Sequence, residues 1–194
     1  HVLIPRPDTE TLVEYVLGAY KEDAALSILD VCTGPGTILM SLLHYLPQAQ
    51  GLGLDLSEPA LAVAQANRQK FSLEERAGLK HSDMFSALNE GETFDIIVSN
   101  PPYITEADMK TLSADVLNEP HMALCGGQDG LDFYRILAQE SYKHLVKDGL
   151  LAMEIGMGQE EDVRHLLEAT GQYKDIAYVK DLAGINRVVV AKKV

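Results

Sequence analysis

The stretch Phe94-Asp95-Ile96-Ile97-Val98-Ser99-Asn100-Pro101-Pro102-Tyr103 is an apolar, β-branched run that ends in two prolines. Its first half predicts a buried strand. The two prolines lack N–H donors and have fixed φ angles, and they hold the residues that precede them, Asn100 and Pro101, in extended conformations. The strand should therefore end in a stiff elbow at its carboxyl edge.

This elbow offers two hydrogen-bond acceptors, the side-chain oxygen of Asn100 and the backbone carbonyl of Pro101, with the ring of Tyr103 beside them. Two such acceptors suit the planar NH2 group of an amide or a base amine, whose nitrogen attacks electrophiles poorly because its lone pair is delocalised. Binding both hydrogens would position the nitrogen and increase its electron density. The alternative is that Asn-Pro-Pro only forms a turn at the end of a strand, as these residues commonly do.

A second strand and turn lie upstream of the elbow. Residues 26–31 predict a strand, Cys32-Thr33-Gly34-Pro35-Gly36 a turn, and Thr37–Tyr45 a helix. A Gly-x-Gly turn at the start of a helix lets a ligand approach the backbone near the positive helix end. The next predicted strand, 51–55, ends in Asp55, about 20 positions after the glycines, where nucleotide-binding βαβ units carry the carboxylate for ribose hydroxyls.

The spacing of the glycines bears on which nucleoside binds. The third glycine of the dinucleotide fingerprint is replaced by Leu39, which disfavours a pyrophosphate, so S-adenosylmethionine is the better candidate. After a third predicted strand, Ala77–His81, Asp83 and Met84 fall where an adenine edge could be met. Two alternatives stay open: Asp83 as the N-cap of a following helix, and Asp55 as an ordinary exposed carboxylate.

The whole pattern predicts an α/β fold, a doubly wound, mostly parallel sheet of seven strands with a C-terminal antiparallel hairpin. Asp8 is the predicted N-cap of a first helix, and Arg6, held between two prolines, is expected in a loop that borders the site. Residues 105–132 lack clean periodicity, which favours a lid or binding loop. The other predicted elements are helices at 58–69, 131–146 and 159–169 and strands at 150–155, 176–179 and 187–191.

Composition limits the class of protein. The 194 residues carry a formal net charge of -13, with 29 acidic against 16 basic side chains, which is unfavourable for binding nucleic acid. No apolar run approaches membrane-spanning length and no signal-peptide pattern is visible, and neither the two cysteines nor the six histidines have metal-ligand spacing. We therefore expect one soluble cytoplasmic domain without a membrane, metal or nucleic-acid partner. Because the chain begins at His1 and not at Met, we expect it to be a fragment of a longer protein or a processed chain.

Five motifs together carry a family resemblance: VLIPRPDTE at 2–10, ILDVCTGPG at 28–36, VSNPPYI at 98–104, EPHMAL with GGQDGLD between 119 and 132, and DLAGINRVV at 181–189. With these motifs the chain resembles the HemK-type glutamine methyltransferases that modify peptide-chain release factors. The resemblance covers almost the whole chain. The proline-arginine-proline opening beside an Asn-Pro-Pro-Tyr elbow is more specific than either motif alone.

The resemblance implies a class I S-adenosylmethionine-dependent fold. The methyl group would pass to the side-chain amide of the glutamine in the Gly-Gly-Gln (GGQ) loop of a release factor, leaving S-adenosylhomocysteine. The amide nitrogen would attack in line and lose a proton afterwards, without a strong general base. Asn100, Pro101 and Tyr103 would be the catalytic residues. The implied cofactor-binding residues are Cys32, Thr33, Gly34, Pro35, Gly36, Asp55, Asp83, Met84 and Asn100. The implied substrate-binding residues are Asn100, Pro101, Pro102, Tyr103, Arg6 and Glu119.

The chain departs from the family pattern at three points. Cys32 stands where the family usually has glycine, Met84 replaces a residue that is often aromatic or leucine, and the family's N-terminal helical domain is absent, so that residues 1–194 are expected to form a single catalytic domain. Gly126-Gly127-Gln128 resembles the substrate motif, but its family counterpart is a glycine turn. Two other functions stay open: an adenine-amine methyltransferase acting on a flipped base of DNA or RNA, and a cofactor-binding fragment without activity.

Overall fold

Strands and helices alternate along the chain. The computed structural model describes residues 7–112 and 120–194. In chain order the elements are α1 (Pro7–Ala19), β1 (Ser27–Val31), α2 (Thr37–Tyr45), β2 (Gln50–Asp55), α3 (Glu58–Lys70), β3 (Ala77–His81), β4 (Phe94–Ser99), α4 (Glu106–Met109), α5 (Asp132–Glu140), β5 (Leu145–Glu154), α6 (Glu160–Thr170), β6 (Tyr173–Lys180) and β7 (Asn186–Lys193).

The seven strands form one sheet in the order β3-β2-β1-β4-β5-β7-β6. All neighbours are parallel except β7, which runs antiparallel to both β5 and β6. The predicted doubly wound sheet with a terminal hairpin is therefore confirmed. The chain moves outward from β1 to β3 and then returns to place β4 on the other side of β1. This reversal opens a crevice beyond the carboxyl ends of β1 and β4, where open α/β sheets bind ligands.

The sheet is buried on both faces. Ile28 and Ile96 point into a cluster that α1 and α2 cover, whereas their chain neighbours Leu29 and Ile97 point into a cluster that α5 and α6 cover. All four side chains are fully buried. Successive residues of a strand face opposite sides, so a central strand covered on both faces must be apolar throughout. This requirement explains the continuous apolar run that precedes Asn100.

Most elements lie within one or two residues of their predicted bounds, and α2 and β3 coincide with them. The first helix begins at Pro7, so Asp8 lies inside the helix and is not its N-cap as predicted. A proline suits the first helical position because the N–H that it lacks would have no partner within the helix.

The predicted helix over 131–146 is wrong in its second half. The helix α5 ends at Glu140, Ser141–His144 forms a 3-10 turn, and β5 already begins at Leu145. Leu145 pairs with Phe94 of β4 ahead of a register shift, and Asp148 has a positive φ of 60° in the bulge that follows. Residues 147–149, Lys-Asp-Gly, are typical of a turn, and they form a bulge within β5 because Leu145 and Leu150 on either side of them both pair with β4.

The segment predicted as a lid or binding loop contains α4 and a 3-10 turn at His121–Ala123. Glu119 and Arg6, which were predicted to bind substrate, lie outside the described residues. In the ranges 7–112 and 120–194, no helix has both the length and the apolar character needed to span a membrane.

Candidate active site

A cavity of about 460 Å³ lies at the carboxyl ends of the first four strands. Its size is typical of small-molecule sites. Nine predicted site residues line it: Cys32, Thr33, Gly34, Pro35, Asp55, Asp83, Met84, Asn100 and Pro102. Of the predicted residues that the structure describes, Gly36, Pro101 and Tyr103 do not contribute to its wall.

The turn between β1 and α2 forms one wall of the cavity. Gly34 and Gly36 have positive φ angles of 55° and 79°, a conformation that glycine adopts readily. A Cβ atom at Gly34 would meet no other atom within 4 Å, so the lack of a side chain keeps this part of the wall open. The N-cap residue of α2, Gly36, has no side chain to cap the helix, and Asp30 accepts only from the N–H of Leu39 in its first turn, so the N–H groups of Thr37 and Ile38 are left for a polar ligand.

Asp55 connects the end of β2 to this turn. Its Oδ2 accepts a hydrogen bond of 2.7 Å from the N–H of Gly34, and its Oδ1 accepts one of 2.8 Å from the N–H of Ser57. A carboxylate has about four acceptor positions, so Asp55 can still accept hydroxyl donors from the cavity side. Sequence reasoning found the position of Asp55 but missed that its side chain also holds the glycine turn.

Asp83 and Met84 follow β3 at the same edge. The residues after Asp83 form hydrogen-bonded turns and no helix begins there, so the structure gives no support to Asp83 as a helix N-cap. Asp83 is exposed, while Met84 is buried with a φ of 48°. Met84 Sδ lies 3.8 Å from the Sγ of Cys32.

Cys32 has a φ of 61°, in the left-handed region that favours glycine. The backbone at Cys32 therefore accommodates a Cβ atom in a conformation that glycine adopts more readily. Burial, reinforced by the negative charges of Asp55 and Asp30, raises the pKa of the Cys32 thiol. Cys32 is thus an uncharged part of the wall rather than a nucleophile.

Asn100 lies at the end of β4 and is partly buried. Its Nδ2 donates a hydrogen bond of 3.3 Å to the hydroxyl of Thr9. No donor to Asn100 Oδ1 is found among the described residues. Pro101 and Pro102 are buried, and Tyr103 is partly buried and packs against the hydrophobic cluster below α5.

A second glycine turn packs against the elbow and contributes Cys125 and Gly127 to the cavity wall. The N–H of Ile104 bonds to the carbonyl of Leu124 at 2.9 Å, and the N–H of Gly126 bonds to the carbonyl of Ile104 at 2.8 Å. A Cβ atom at Gly126 would lie 2.8 Å from the carbonyl oxygen of Pro102, so only glycine permits this approach. Gly127 and Gly130 have positive φ angles of 90° and 75°. The Gly-Gly-Gln-Asp-Gly segment is thus a structural turn, in agreement with its interpretation from sequence.

Several residues that line the cavity were missed from sequence. Phe133 and Ile136 of α5 are three positions apart and therefore share one face of the helix, a spacing that could have indicated an apolar wall. Leu56 and Met122, which are 49% and 48% exposed, add apolar surface near the opening. Thr9 of α1 also lines the cavity, and no sequence signal distinguished it from other helix residues.

Asp30 of β1 is a buried carboxyl group beneath the glycine turn. Its Oδ2 accepts hydrogen bonds from the hydroxyl of Thr33 at 2.7 Å and from the N–H of Leu39 at 3.3 Å, whereas its Oδ1 has no partner among the described residues. Burial raises the pKa of Asp30 to about 7, although the two hydrogen bonds oppose that rise.

Across 7–112 and 120–194, no cluster of three or more His, Cys, Asp or Glu side chains is arranged to hold a metal ion. The cavity instead combines a glycine turn, an acidic side chain at the end of β2 and an amide-bearing elbow. These features define a protein of the methyltransferase class, and the Methyltransferase small domain family matches residues 9–128 of the chain.

The chain belongs to the release factor glutamine methyltransferases. It is 45% identical to the release factor glutamine methyltransferase of Caulobacter vibrioides, over 100% of this chain and 66% of that protein. It is 44% identical to the protein of the same name from Clostridium acetobutylicum, over 98% of this chain and 67% of that protein.

Among solved structures, the release factor-specific protein-(glutamine-N5) methyltransferase of Alicyclobacillus acidocaldarius matches with a TM-score of 0.60 and 27% identity, over 98% of this chain and 94% of that chain. The family resemblance inferred from the motifs is therefore confirmed. The chain spans about two thirds of the length of the two curated relatives that it matches.

Proposed function

We propose that this chain transfers a methyl group from S-adenosylmethionine to the side-chain amide nitrogen of the glutamine in the GGQ loop of a peptide-chain release factor. One observation carries the proposal: Asn100 lines the same cavity as Gly34 and Asp55, and its amide bonds to Thr9, which lines that cavity too. The Nδ2 of Asn100 is occupied by Thr9, which leaves Oδ1 as the atom that can accept a hydrogen from a substrate NH2 group.

The cavity fits S-adenosylmethionine in size and in chemistry. The open space at Gly34, the first N–H groups of α2 and the remaining acceptor positions of Asp55 suit a polar nucleoside, and Met84 supplies apolar surface. When bound, the cofactor supplies an electrophilic methyl group. The residues that would hold it are Cys32, Thr33, Gly34, Pro35, Asp55, Asp83, Met84 and Asn100, and Gly36, which is not part of the cavity wall, would act through the shape of the turn.

The protein's part in the reaction is to hold a weakly nucleophilic nitrogen. Asn100 Oδ1 and the Pro101 carbonyl would accept the two amide hydrogens, and the two prolines would keep both oxygens rigid. Tyr103 and Pro102 would border the glutamine, with Arg6 and Glu119 as further substrate contacts. Because methylation makes the amide nitrogen strongly acidic, its proton can leave to water without a dedicated base.

The proposal extends to the context of the chain. Residues 1–194 act as one catalytic domain in the cytoplasm, where translation terminates, and the release factor is its protein partner. The net charge of -13 supports a protein substrate over a nucleic acid, whose phosphates would be repelled.

The test uses the chain with labelled S-adenosylmethionine and four substrates: a release factor, the same factor with the glutamine of its GGQ motif replaced by alanine, DNA and RNA. We expect label only in the intact release factor, and peptide mass spectrometry should place one methyl group on the GGQ glutamine. Label in nucleic acid alone would show an adenine-amine methyltransferase. Calorimetric binding of the cofactor without transfer to any substrate would show a binding fragment.

A further inference from the structure

A chain of two hydrogen bonds connects Asn100 of the elbow to α1 and to the end of β5. The hydroxyl of Thr9 donates to Glu154 Oε2 at 2.6 Å, and Asn100 Nδ2 donates to the same hydroxyl oxygen at 3.3 Å. Thr9 is 8% exposed and Glu154 is 1% exposed. Three elements therefore meet at this point: α1, the end of β5 and the residue that follows β4.

The strand pairing brings these groups together. Ser99 of β4 pairs with Met153 of β5, so Asn100 and Glu154 are the next residues of two adjacent parallel strands. The helix α1 packs on the same end of the sheet and inserts Thr9 between them. The contact is thus a product of the fold and not of a local motif.

The hydrogen count sets the direction of each bond. A hydroxyl group has one hydrogen to donate, and Thr9 gives that hydrogen to the acidic side chain of Glu154. Towards Asn100 the hydroxyl can then act only as an acceptor. It must face the NH2 end of the Asn100 amide, and the Asn100 oxygen is turned the other way.

We propose that Thr9 and Glu154 are positioning residues that select one of the two orientations of the Asn100 side-chain amide. This inference rests on the proposed function, because the selected orientation presents Oδ1, an acceptor, to the NH2 group of a glutamine side chain. The reversed amide would present an NH2 group to another NH2 group, two donors that cannot bond to each other. An isolated asparagine has no strong preference between the two orientations, so the choice needs a partner that can only accept.

The first test compares Thr9→Val, which keeps the shape of the side chain but removes the hydroxyl, with Thr9→Ser, which keeps the hydroxyl. With a release factor as substrate, we expect Thr9→Val to lower kcat at least about tenfold and to change the cofactor dissociation constant by less than about twofold. Thr9→Ser should restore most of the lost rate.

The control variant is Thr170→Val, which removes a hydroxyl that bonds to the Leu167 carbonyl at the end of α6. We expect it to lower thermal stability without lowering kcat. Equal kcat values for wild type and Thr9→Val would overturn the proposal. An equal fall in kcat in Thr9→Val and Thr9→Ser would also overturn the proposal, because Thr9→Ser keeps the hydroxyl.

A second measurement needs no methyl transfer. In chain labelled with 15N-asparagine, we expect one side-chain Nδ2 proton of Asn100 to exchange slowly with solvent in wild type and Thr9→Ser, and rapidly in Thr9→Val. Rapid exchange in wild type would show that the amide is not held, whatever the substrate. A wild-type chain that protects this proton but methylates no release factor would refute the proposed function while leaving the amide orientation established.

Discussion

At the scale of single residues, the proposed function divides cofactor binding and substrate binding between two side chains at the ends of β2 and β4, the strands on either side of β1. Asp55 holds the glycine turn through the N–H of Gly34 and faces the part of the cavity assigned to the cofactor. Asn100 is held by Thr9 and faces the part assigned to the substrate amide. Because the two side chains share no hydrogen bond among the described contacts, their substitutions should have separable effects.

Replacing Asn100 by alanine should abolish methyl transfer while leaving cofactor binding nearly intact. The substitution removes a preorganised acceptor, which typically costs on the order of 10²-fold or more in kcat. Transfer of labelled methyl to a release factor and calorimetric titration with S-adenosylhomocysteine measure the two effects. An unchanged transfer rate would remove the elbow from the mechanism.

Replacing Asp55 by asparagine should have the converse effect. An amide can accept from only one of the two N–H groups that Asp55 now binds, those of Gly34 and Ser57, and it loses the negative charge that attracts hydroxyl donors. We expect cofactor affinity to fall at least about tenfold, which corresponds to about 1.4 kcal/mol. Calorimetry measures the cofactor affinity directly, and Asn100→Ala, which should keep that affinity, is the matched control. Equal affinity in wild type and Asp55→Asn would contradict the assignment of Asp55 to the cofactor.

At the scale of elements, the elbow is held in two ways: by its own prolines and by a hydrogen bond from the start of α6. Gln159, at the start of α6, donates through Nε2 to the carbonyls of Tyr103 at 3.0 Å and Gly130 at 3.3 Å. Its Oε1 accepts from the N–H of Gly156 at 2.9 Å. One amide thus links the elbow, the second glycine turn and the segment after β5.

Replacing Gln159 by methionine keeps the length of the side chain but removes these three bonds. We expect the free energy of unfolding to fall by about 1 to 3 kcal/mol, because partly buried carbonyl and N–H groups lose their partners. The methyl transfer rate should fall as the elbow loosens. Chemical denaturation and the transfer assay measure both effects. The control is Gln172→Met at an exposed position, which should alter neither the free energy of unfolding nor the transfer rate. A similar loss of stability or rate in Gln172→Met would show that the methionine side chain itself is responsible.

At the scale of the whole molecule, the raised pKa of Asp30 couples the stability of the fold to pH. The native state keeps the Asp30 proton up to about pH 7, whereas the unfolded chain loses it near the ordinary value of 3.8. The unfolded state is therefore favoured progressively as the pH rises between these two values. The stabilisation from protonated Asp30 is complete below pH 3.8 and is lost as the pH passes 7.

Asp30→Asn should remove this dependence. The difference in unfolding free energy, wild type minus variant, should fall by up to about 4 kcal/mol between pH 4 and pH 7 and then level off. Denaturant unfolding of both chains at a series of pH values measures the difference, and taking the difference cancels the titration of the other carboxylates. A difference that is independent of pH would show that Asp30 ionises normally in the native state.

Much of this architecture could be predicted because parallel strands covered on both faces must be apolar, and because glycine and proline mark where such strands turn. The runs before Cys32 and Asn100 satisfy both conditions, so their strands and turns were placed to within a residue or two. Residues 147–149, Lys-Asp-Gly, are polar and typical of a turn, yet they lie within β5. Their place in the strand depends on the pairs that Leu145 and Leu150 make with β4, which the local sequence does not indicate.

The sequence by itself determined the order of the elements, the sheet edge at which the site lies, and the residues whose chemistry suits a nucleoside and an amide. Only the tertiary structure decided the hydrogen bonds that hold the site. Asp55 bonds to the glycine turn, Gln159 bonds to the elbow, and Asn100 is linked through Thr9 to Glu154. The physical reason is that the identity of each residue alone gives the chemical type of its side chain. The direction of its hydrogen bonds follows from neighbours that are distant in the chain, and Thr9 and Glu154 are 145 residues apart.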